Sequence, residues 1–287
     1  MGARPRLVKS NEPSLKKRFG QHFLRDTGVI DRIVRWINPS PGDIFLEIGA
    51  GDGALSSRLA PGIDRLLAIE LDIDCIPILE GELAPFRSAT VLAGDVLQLD
   101  LGQLLTPYLQ PRRKLRVAGN LPYNIATAII EKLLHLDLPV EDMFFMVQLE
   151  VAQRILAKPG TRQYGFLSVN CQHHAHVQMG FRVSPACFVP RPQVSSATVS
   201  FRPGRSPLDP ILERDFEALA KAAFSYRRKT LANSLSRHPS FGRISNALLK
   251  CARIDGSRRA EDLSVQEYEK LAQVFHDSFS GKSGQNA

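Results

Sequence analysis

Short apolar runs, spaced by stretches of helical periodicity, constrain this chain most. Ile44 to Ile48, Leu66 to Ile69, Ala89 to Leu92, Leu115 to Ala118 and Phe144 to Leu149 are each four to six residues long and nearly free of polar side chains. A strand buried on both faces reads as such a continuous run, whereas a strand with one wet face alternates. Runs of this kind alternating with helices predict an α/β fold, a parallel sheet covered on both faces. The first helix is expected over residues 26–37, capped by Asp26 or Thr27, with Val29, Ile30, Ile33, Val34 and Ile37 on one face. Pro39 to Asp43 then breaks the chain before the first run. Around residues 166–201 the pattern predicts longer β segments. Phe201 to Pro210, rich in Pro and Gly, reads as a linker. Beyond it Leu212, Phe216, Leu219, Ala220, Ala223 and Phe224 fall at helical spacing. The expected organisation is a basic mobile arm (1–18), a main α/β domain (19–203) and a small helical domain (208–280).

Composition limits the function classes. With 287 residues, 44% hydrophobic and 23% charged, the chain can bury a core without metals or disulfides. No apolar run approaches the roughly 18 residues that span a bilayer, and the richest, Met143 to Leu149, is far shorter. The N-terminus lacks the apolar h-region of a secretory signal, so a cytoplasmic protein without a membrane partner is expected. A mitochondrial transit peptide, which Arg-rich, acid-poor sequence permits, is the rival for residues 1–18. Cys75, Cys171, Cys187 and Cys251 show no CxxC spacing and read as scattered reduced thiols. The net charge of +8 sits at the ends: residues 1–20 carry +5, residues 21–203 carry −1 and residues 204–287 carry +4. A neutral body with positive ends suits a polyanionic partner. His173, His174 and His176 lie in CQHHAHV, where a strand would put His174 and His176 on one face. No carboxylate or thiol stands nearby at ligand spacing, so no metal is expected there.

The first apolar run ends in Glu47 to Gly53, EIGAGDG. Gly49 and Gly51 let backbone pass close to a ligand, and Gly53 tightens the turn into a helix. The spacing is GxGxG, unlike the GxGxxG of nicotinamide-binding proteins. Glu70 ends the second run, where a carboxylate can accept both hydroxyls of a ribose. Asp95 follows the third run, where it can accept from an exocyclic adenine amine. All three features lie at carboxyl ends of neighbouring strands, where open α/β sheets bind ligands. Together they predict an adenosyl ligand.

Asn120-Leu121-Pro122-Tyr123 follows the fourth run. An adenine N6 amine is a poor nucleophile because its lone pair is delocalised into the ring. The Asn120 side-chain oxygen and the Leu121 carbonyl can each accept one N6 hydrogen. Pro122 biases Leu121 toward extended backbone. Tyr123 offers a flat face on which an extruded base can stack.

With these motifs the chain resembles the S-adenosylmethionine-dependent rRNA adenine N6-dimethyltransferases of the KsgA type. The resemblance runs from Phe19 to about Ala272. It rests on FGQHFL (19–24), EIGAGDG, Glu70, Asp95 and NLPY, then on FVPRPQVSSA (188–197), FSYRRKTLANSL (224–235) and RAEDLSVQEY (259–268). It implies a Rossmann-like class I methyltransferase domain with a small C-terminal helical domain. It implies S-adenosyl-L-methionine as cofactor, held by His22, Leu24, Gly49, Gly51, Glu70, Asp95 and Asn120. The substrate implied is two adjacent adenosines in the 3′-terminal hairpin loop of small-subunit (16S) rRNA, each methylated twice, in an immature small ribosomal subunit bound by a monomer. Asn120, Leu121, Pro122 and Tyr123 would form the catalytic element. Phe188 would be a second aromatic wall, and Arg227, Arg228 and Lys229 would meet phosphates. The chain departs from the family pattern at His22, where Asn is usual, at Gln193 and Ser195, and at Tyr226. Rivals are large-subunit rRNA dimethyltransferases, which lack the FSYRRKTLANSL element, and a mitochondrial transcription factor of the same ancestry. DNA adenine methyltransferases usually carry a second proline where Leu121 stands.

Overall fold

The structure is a computed structural model, and it describes residues 21–109, 115–204, 208–226 and 228–279. The expected basic arm and Arg227 lie outside the described residues. The chain forms two compact units, residues 1–148 with 180–200 and residues 149–179 with 201–287. The second takes in a segment, 149–179, that precedes the expected linker.

In chain order the elements up to residue 148 are β1 (Phe23–Leu24), α1 (Thr27–Ile37), β2 (Ile44–Ile48), α2 (Ser56–Leu59), β3 (Arg65–Glu70) and α3 (Ile76–Leu83). They continue with β4 (Ala89–Ala93), α4 (Leu101–Leu105), β5 (Leu115–Asn120), α5 (Ala126–Leu134) and β6 (Val140–Gln148). Then come α6 (Leu149–Ile155), α7 (Phe166–His174), β7 (Ala175–Val183), β8 (Phe188–Val189) and β9 (Ser196–Pro203). The chain ends with α8 (Pro210–Phe224), α9 (Leu231–Leu235), α10 (Ser245–Ala252) and α11 (Val265–Phe279).

All five apolar runs are strands of one seven-stranded sheet, in the order β4-β3-β2-β5-β6-β9-β7. The ladders β4–β3, β3–β2, β2–β5 and β5–β6 are parallel. Every residue of β2 is buried, as a central strand with two covered faces requires. On α1 the expected apolar stripe buries Ile30, Ile33 and Ile37, and the Asp26 carboxylate caps the helix by accepting from the Val29 N–H at 3.0 Å. The strand order reverses between β2 and β5, which opens a crevice at their carboxyl ends. The reversal allows a close approach: a Cβ on Gly119 would lie 2.4 Å from the Ile48 carbonyl oxygen, so only glycine fits there.

Opposite the crevice, Arg116 of β5 is buried and fully engaged. Its guanidinium donates to Asp142 at 2.8 and 3.0 Å, to Asp43 at 2.7 Å and to the Ile37 carbonyl at 2.7 Å. It thus ties β5, β6 and the end of α1 together at the foot of the sheet.

The β segments expected over 166–201 are only partly present, because 166–174 is helix α7. Its residues Leu167 to Cys171 are all buried. A helix covered on every side shows no 3.6-residue stripe, so its period is invisible in sequence. The expected shared strand face of His174 and His176 is therefore corrected: His174 ends α7 and His176 is the second residue of β7. In the second unit α7 packs with α8, α10 and α11 around Phe216, Leu235, Phe241 and Tyr268. All four cysteines are free thiols. Among the described residues no helix is long and apolar enough to cross a membrane.

Arg116→Ala leaves the buried Asp142 and the half-buried Asp43 without their cation, and removing one partner of such a network costs about 3–5 kcal/mol. Urea denaturation of the variant is expected to show a loss of that order, and a loss below about 1 kcal/mol contradicts the role given to Arg116.

Candidate cofactor and base pocket

A cavity of about 210 Å³ opens at the carboxyl ends of β2, β3, β4 and β5. His22, Gly49, Gly51, Glu70, Asp95, Asn120, Leu121, Pro122 and Tyr123 all line it. Nine of the residues expected from sequence are thus gathered from five separate segments. Gly49, Gly51 and Gly53 have φ of +69°, +60° and +87°, a conformation that L side chains rarely adopt. At Gly51 a Cβ would also sit 3.2 Å from the Phe23 ring.

Glu70 organises the loop. Its Oε2 accepts from the Gly51 N–H at 2.7 Å, and its Oε1 accepts from the N–H groups of Leu71 and Asp72, both at 2.8 Å. A carboxylate has about four lone-pair sites, so one, on Oε2, remains for a ligand. Burial raises the Glu70 carboxyl above its ordinary value, with the N–H groups of Asp72, Gly51 and Leu71 opposing it. Asp95 folds its own turn through Oδ1, which accepts from the Leu97 N–H at 2.9 Å.

Asn120 closes β5. Its Nδ2 donates to the His22 main-chain carbonyl at 3.0 Å, which assigns that end of the amide to the protein and leaves Oδ1 as the acceptor. His22 also bonds through Nδ1, which donates to the Pro190 carbonyl at 2.7 Å. The His22 and Tyr123 rings lie 5.1 Å apart at 34°. The Tyr123 hydroxyl shares a 2.6 Å hydrogen bond with Ser196 Oγ, so its ring is held at both edge and face. Burial pushes the phenol up, with the Ser196 bond opposing, and keeps it neutral.

Four expected site residues lie elsewhere. Leu24 and Phe188 do not line this cavity. They pair across β1 and β8 and are buried in the core, so Phe188 is not an open aromatic wall here. Arg228 and Lys229 are exposed in the second unit, before α9. Conversely, Gln21, Phe23, Leu71, Val96, Leu97 and Ile129 line the cavity unannounced. Leu71 and Val96 could have been found, since each directly follows a predicted acid.

Glu47 lies beneath the loop, 2% exposed, and accepts from Ser56 Oγ at 2.5 Å. Burial raises its carboxyl to about 8, the Ser56 bond working against it and nearby Glu70 and Asp52 adding to the rise.

The sequence pattern of the family described as Ribosomal RNA adenine dimethylase matches residues 13–277. Among its relatives, a Ribosomal RNA small subunit methyltransferase A from Saccharophagus degradans is 43% identical over 262 residues, covering 91% of this chain and 94% of that protein. One of the same name from Pseudomonas putida is 40% identical over 265 residues, covering 91% and 95%. Among solved structures, a dimethyladenosine transferase from Plasmodium falciparum superposes with a TM-score of 0.76 at 24% identity, covering 89% of this chain and 98% of that one. The 23S rRNA methyltransferase ErmE does so with 0.64 at 24% identity, covering 88% and 99%. These likenesses place the fold among Rossmann-like methyltransferases.

The raised carboxyl of Glu47 makes a signed prediction. An acid whose folded pKa, about 8, exceeds its ordinary 4.5 stabilises the fold most below pH 4.5, and that contribution is lost as pH rises through 8. Denaturation at pH 5.5 and 8.5 is expected to show a smaller drop for Glu47→Gln than for the parent chain. An equal drop in both refutes a protonated Glu47.

Proposed function

The chain belongs to the ribosomal RNA adenine dimethylase family, and on that footing we propose that it transfers two methyl groups to N6 of each of two adjacent adenosines in the 3′-terminal hairpin loop of small-subunit rRNA. It is an S-adenosylmethionine-dependent rRNA methyltransferase. Its cavity suits that cofactor: the glycines admit a ligand against bare backbone, Glu70 keeps one lone pair for a ribose hydroxyl, and Asp95 stands beside apolar Val96 and Leu97 where an adenine would lie. His22, Gly49, Gly51, Glu70, Asp95 and Asn120 would hold it. When bound, it supplies an electrophilic methyl on a cationic sulfur.

The protein's own task is to make N6 nucleophilic and to hold it still. The observation that carries this reading is the orientation of Asn120. With Nδ2 committed to the His22 carbonyl, Oδ1 is the atom that accepts an N6 hydrogen. The Leu121 main-chain carbonyl takes the other. Two acceptors on the amine pull its lone pair out of conjugation and stabilise the positive charge that nitrogen develops. Tyr123, neutral and fixed by Ser196, stacks on the base that has left its helix. No side chain has to remove a proton before the methyl moves, because the N6 proton becomes acidic only afterwards and can pass to water.

The wider reading is a monomer acting in the cytoplasm on the immature small subunit, with a part in its biogenesis. Arg228 and Lys229, exposed in the helical unit, would meet rRNA phosphates, and with them Arg227 from outside the described residues.

Asn120→Ala should lower methylation of immature small subunits by roughly 10²–10³-fold, the usual cost of one electrostatic contact to a developing charge. Mass spectrometry of small-subunit rRNA reads the product, and a near-parental rate with this variant sinks the assigned role. Rivals are separated by the same spectra, which should place dimethyladenosine in small-subunit and not in large-subunit rRNA.

A further inference from the structure

In the second unit, α7 and α8 bring together three groups that sequence keeps 40 residues apart. His173 Nε2 lies 3.0 and 3.1 Å from the two carboxylate oxygens of Glu213, and His174 Nε2 lies 3.6 Å from Glu213 Oε2. The three ligand atoms all fall within 4.8 Å of one another. Tetrahedral zinc, with bonds of about 2.0–2.1 Å, sets its ligand atoms about 3.3 Å apart. The observed nitrogen–oxygen spacings bracket that value.

The other ring nitrogens point the same way. His174 Nδ1 donates to the Asn170 carbonyl at 2.9 Å, and His173 Nδ1 lies 2.8 Å from Glu269 Oε1 on α11. Imidazoles that bind metal nearly always donate their second nitrogen to a carbonyl or carboxylate, which fixes the tautomer and turns the bare nitrogen toward the ion. Here one ring uses each kind of partner, and both Nε2 atoms converge on one carboxylate. Phe216 stacks on His173 at 3.9 Å and keeps the ring in place. Asn170, one turn earlier on the same helical face, has both amide atoms buried without a partner among the described residues.

We infer that His173, His174 and Glu213 form a binding site for a divalent transition-metal ion, zinc by ligand type, with Glu269 as the outer carboxylate that orients His173. Two imidazoles and one carboxylate suit zinc over magnesium or calcium, which prefer oxygen alone. The ion would staple α7 to α8 within the helical unit and leave a fourth position for water. The competing reading is a plain ion pair, in which His173 hydrogen-bonds Glu213 and Glu269 with no ion between them.

The test uses the full chain, stripped with chelator and then titrated with zinc ions alone. Expected are one equivalent of zinc per chain, a thermal midpoint raised by several degrees, and X-ray absorption showing nitrogen and oxygen at about 2.0–2.1 Å with two imidazoles. His174→Ala and Glu213→Gln should each weaken zinc binding at least about tenfold, whereas His176→Ala, at an exposed position, should not. If a variant fails to fold, the absorption spectrum of the parent protein decides alone. Folded parent protein that takes up less than about a tenth of an equivalent overturns the inference. So does a zinc shell without two imidazoles, or His173 carrying protons on both nitrogens in the presence of zinc.

Discussion

The close approach of two strands underlies the rest of the first unit. At Gly119 the backbone of β5 comes so near Ile48 that no side chain fits between them. That contact brings the carboxyl ends of β2 and β5 side by side where the strand order reverses. The glycine loop leaves one strand end and Asn120 closes the other, so the loop proposed to admit a cofactor and the amide proposed to grip a base share one crevice. A larger residue at 119 would push the strands apart and separate the two halves of the site without touching either.

Electrostatics divides the labour along the chain. Around the cavity stand Glu47, Glu70 and Asp95, with Asp52 on the glycine loop. Of these, Glu47 and Glu70 are buried, and Glu47, beneath the loop and near Glu70 and Asp52, keeps its proton. An acid-rich lining favours a cationic ligand. The chain's positive charge lies instead at its ends, +5 in residues 1–20 and +4 in residues 204–287, where polyanions are attracted. A chain that handles a sulfonium cofactor and an RNA substrate needs this separation, since each charge would repel the other's ligand.

Much of the site is legible in sequence because each polar residue ends an apolar run. Glu70 and Asn120 are the last residues of β3 and β5, and Asp95 stands two residues past β4. Strand ends are where open sheets bind, so a position along the chain translates into a place in space. What is not legible depends on contacts distant in sequence. The Ser196 hydroxyl reaches Tyr123 across 73 residues, and Glu213 reaches His173 across 40. Phe188 illustrates the opposite failure: its motif suggests a wall of the pocket, but pairing with Leu24 turns it into the core. Helix α7 is hidden for a third reason, since full burial erases the amphipathic stripe by which helices are recognised.

The fixed walls of the pocket bear on how a second methyl could follow the first. On the proposed reading, an unmodified N6 offers two hydrogens to two acceptors, Asn120 Oδ1 and the Leu121 carbonyl. After one transfer a single hydrogen remains, and one acceptor faces a methyl group instead. A buried acceptor without its partner costs about 1–3 kcal/mol. Asn120 cannot escape that cost by turning its amide over, because Nδ2 is held by the His22 carbonyl and a turned amide would lose that bond. Nor can Tyr123 swing aside without giving up Ser196. The base must therefore move while the protein stays. The monomethylated nitrogen has to rotate until its last hydrogen meets Asn120 and its methyl points toward the carbonyl. On the proposed reading, the second transfer is the slower one for this reason, and the rigidity that activates the amine the first time is what retards it the second.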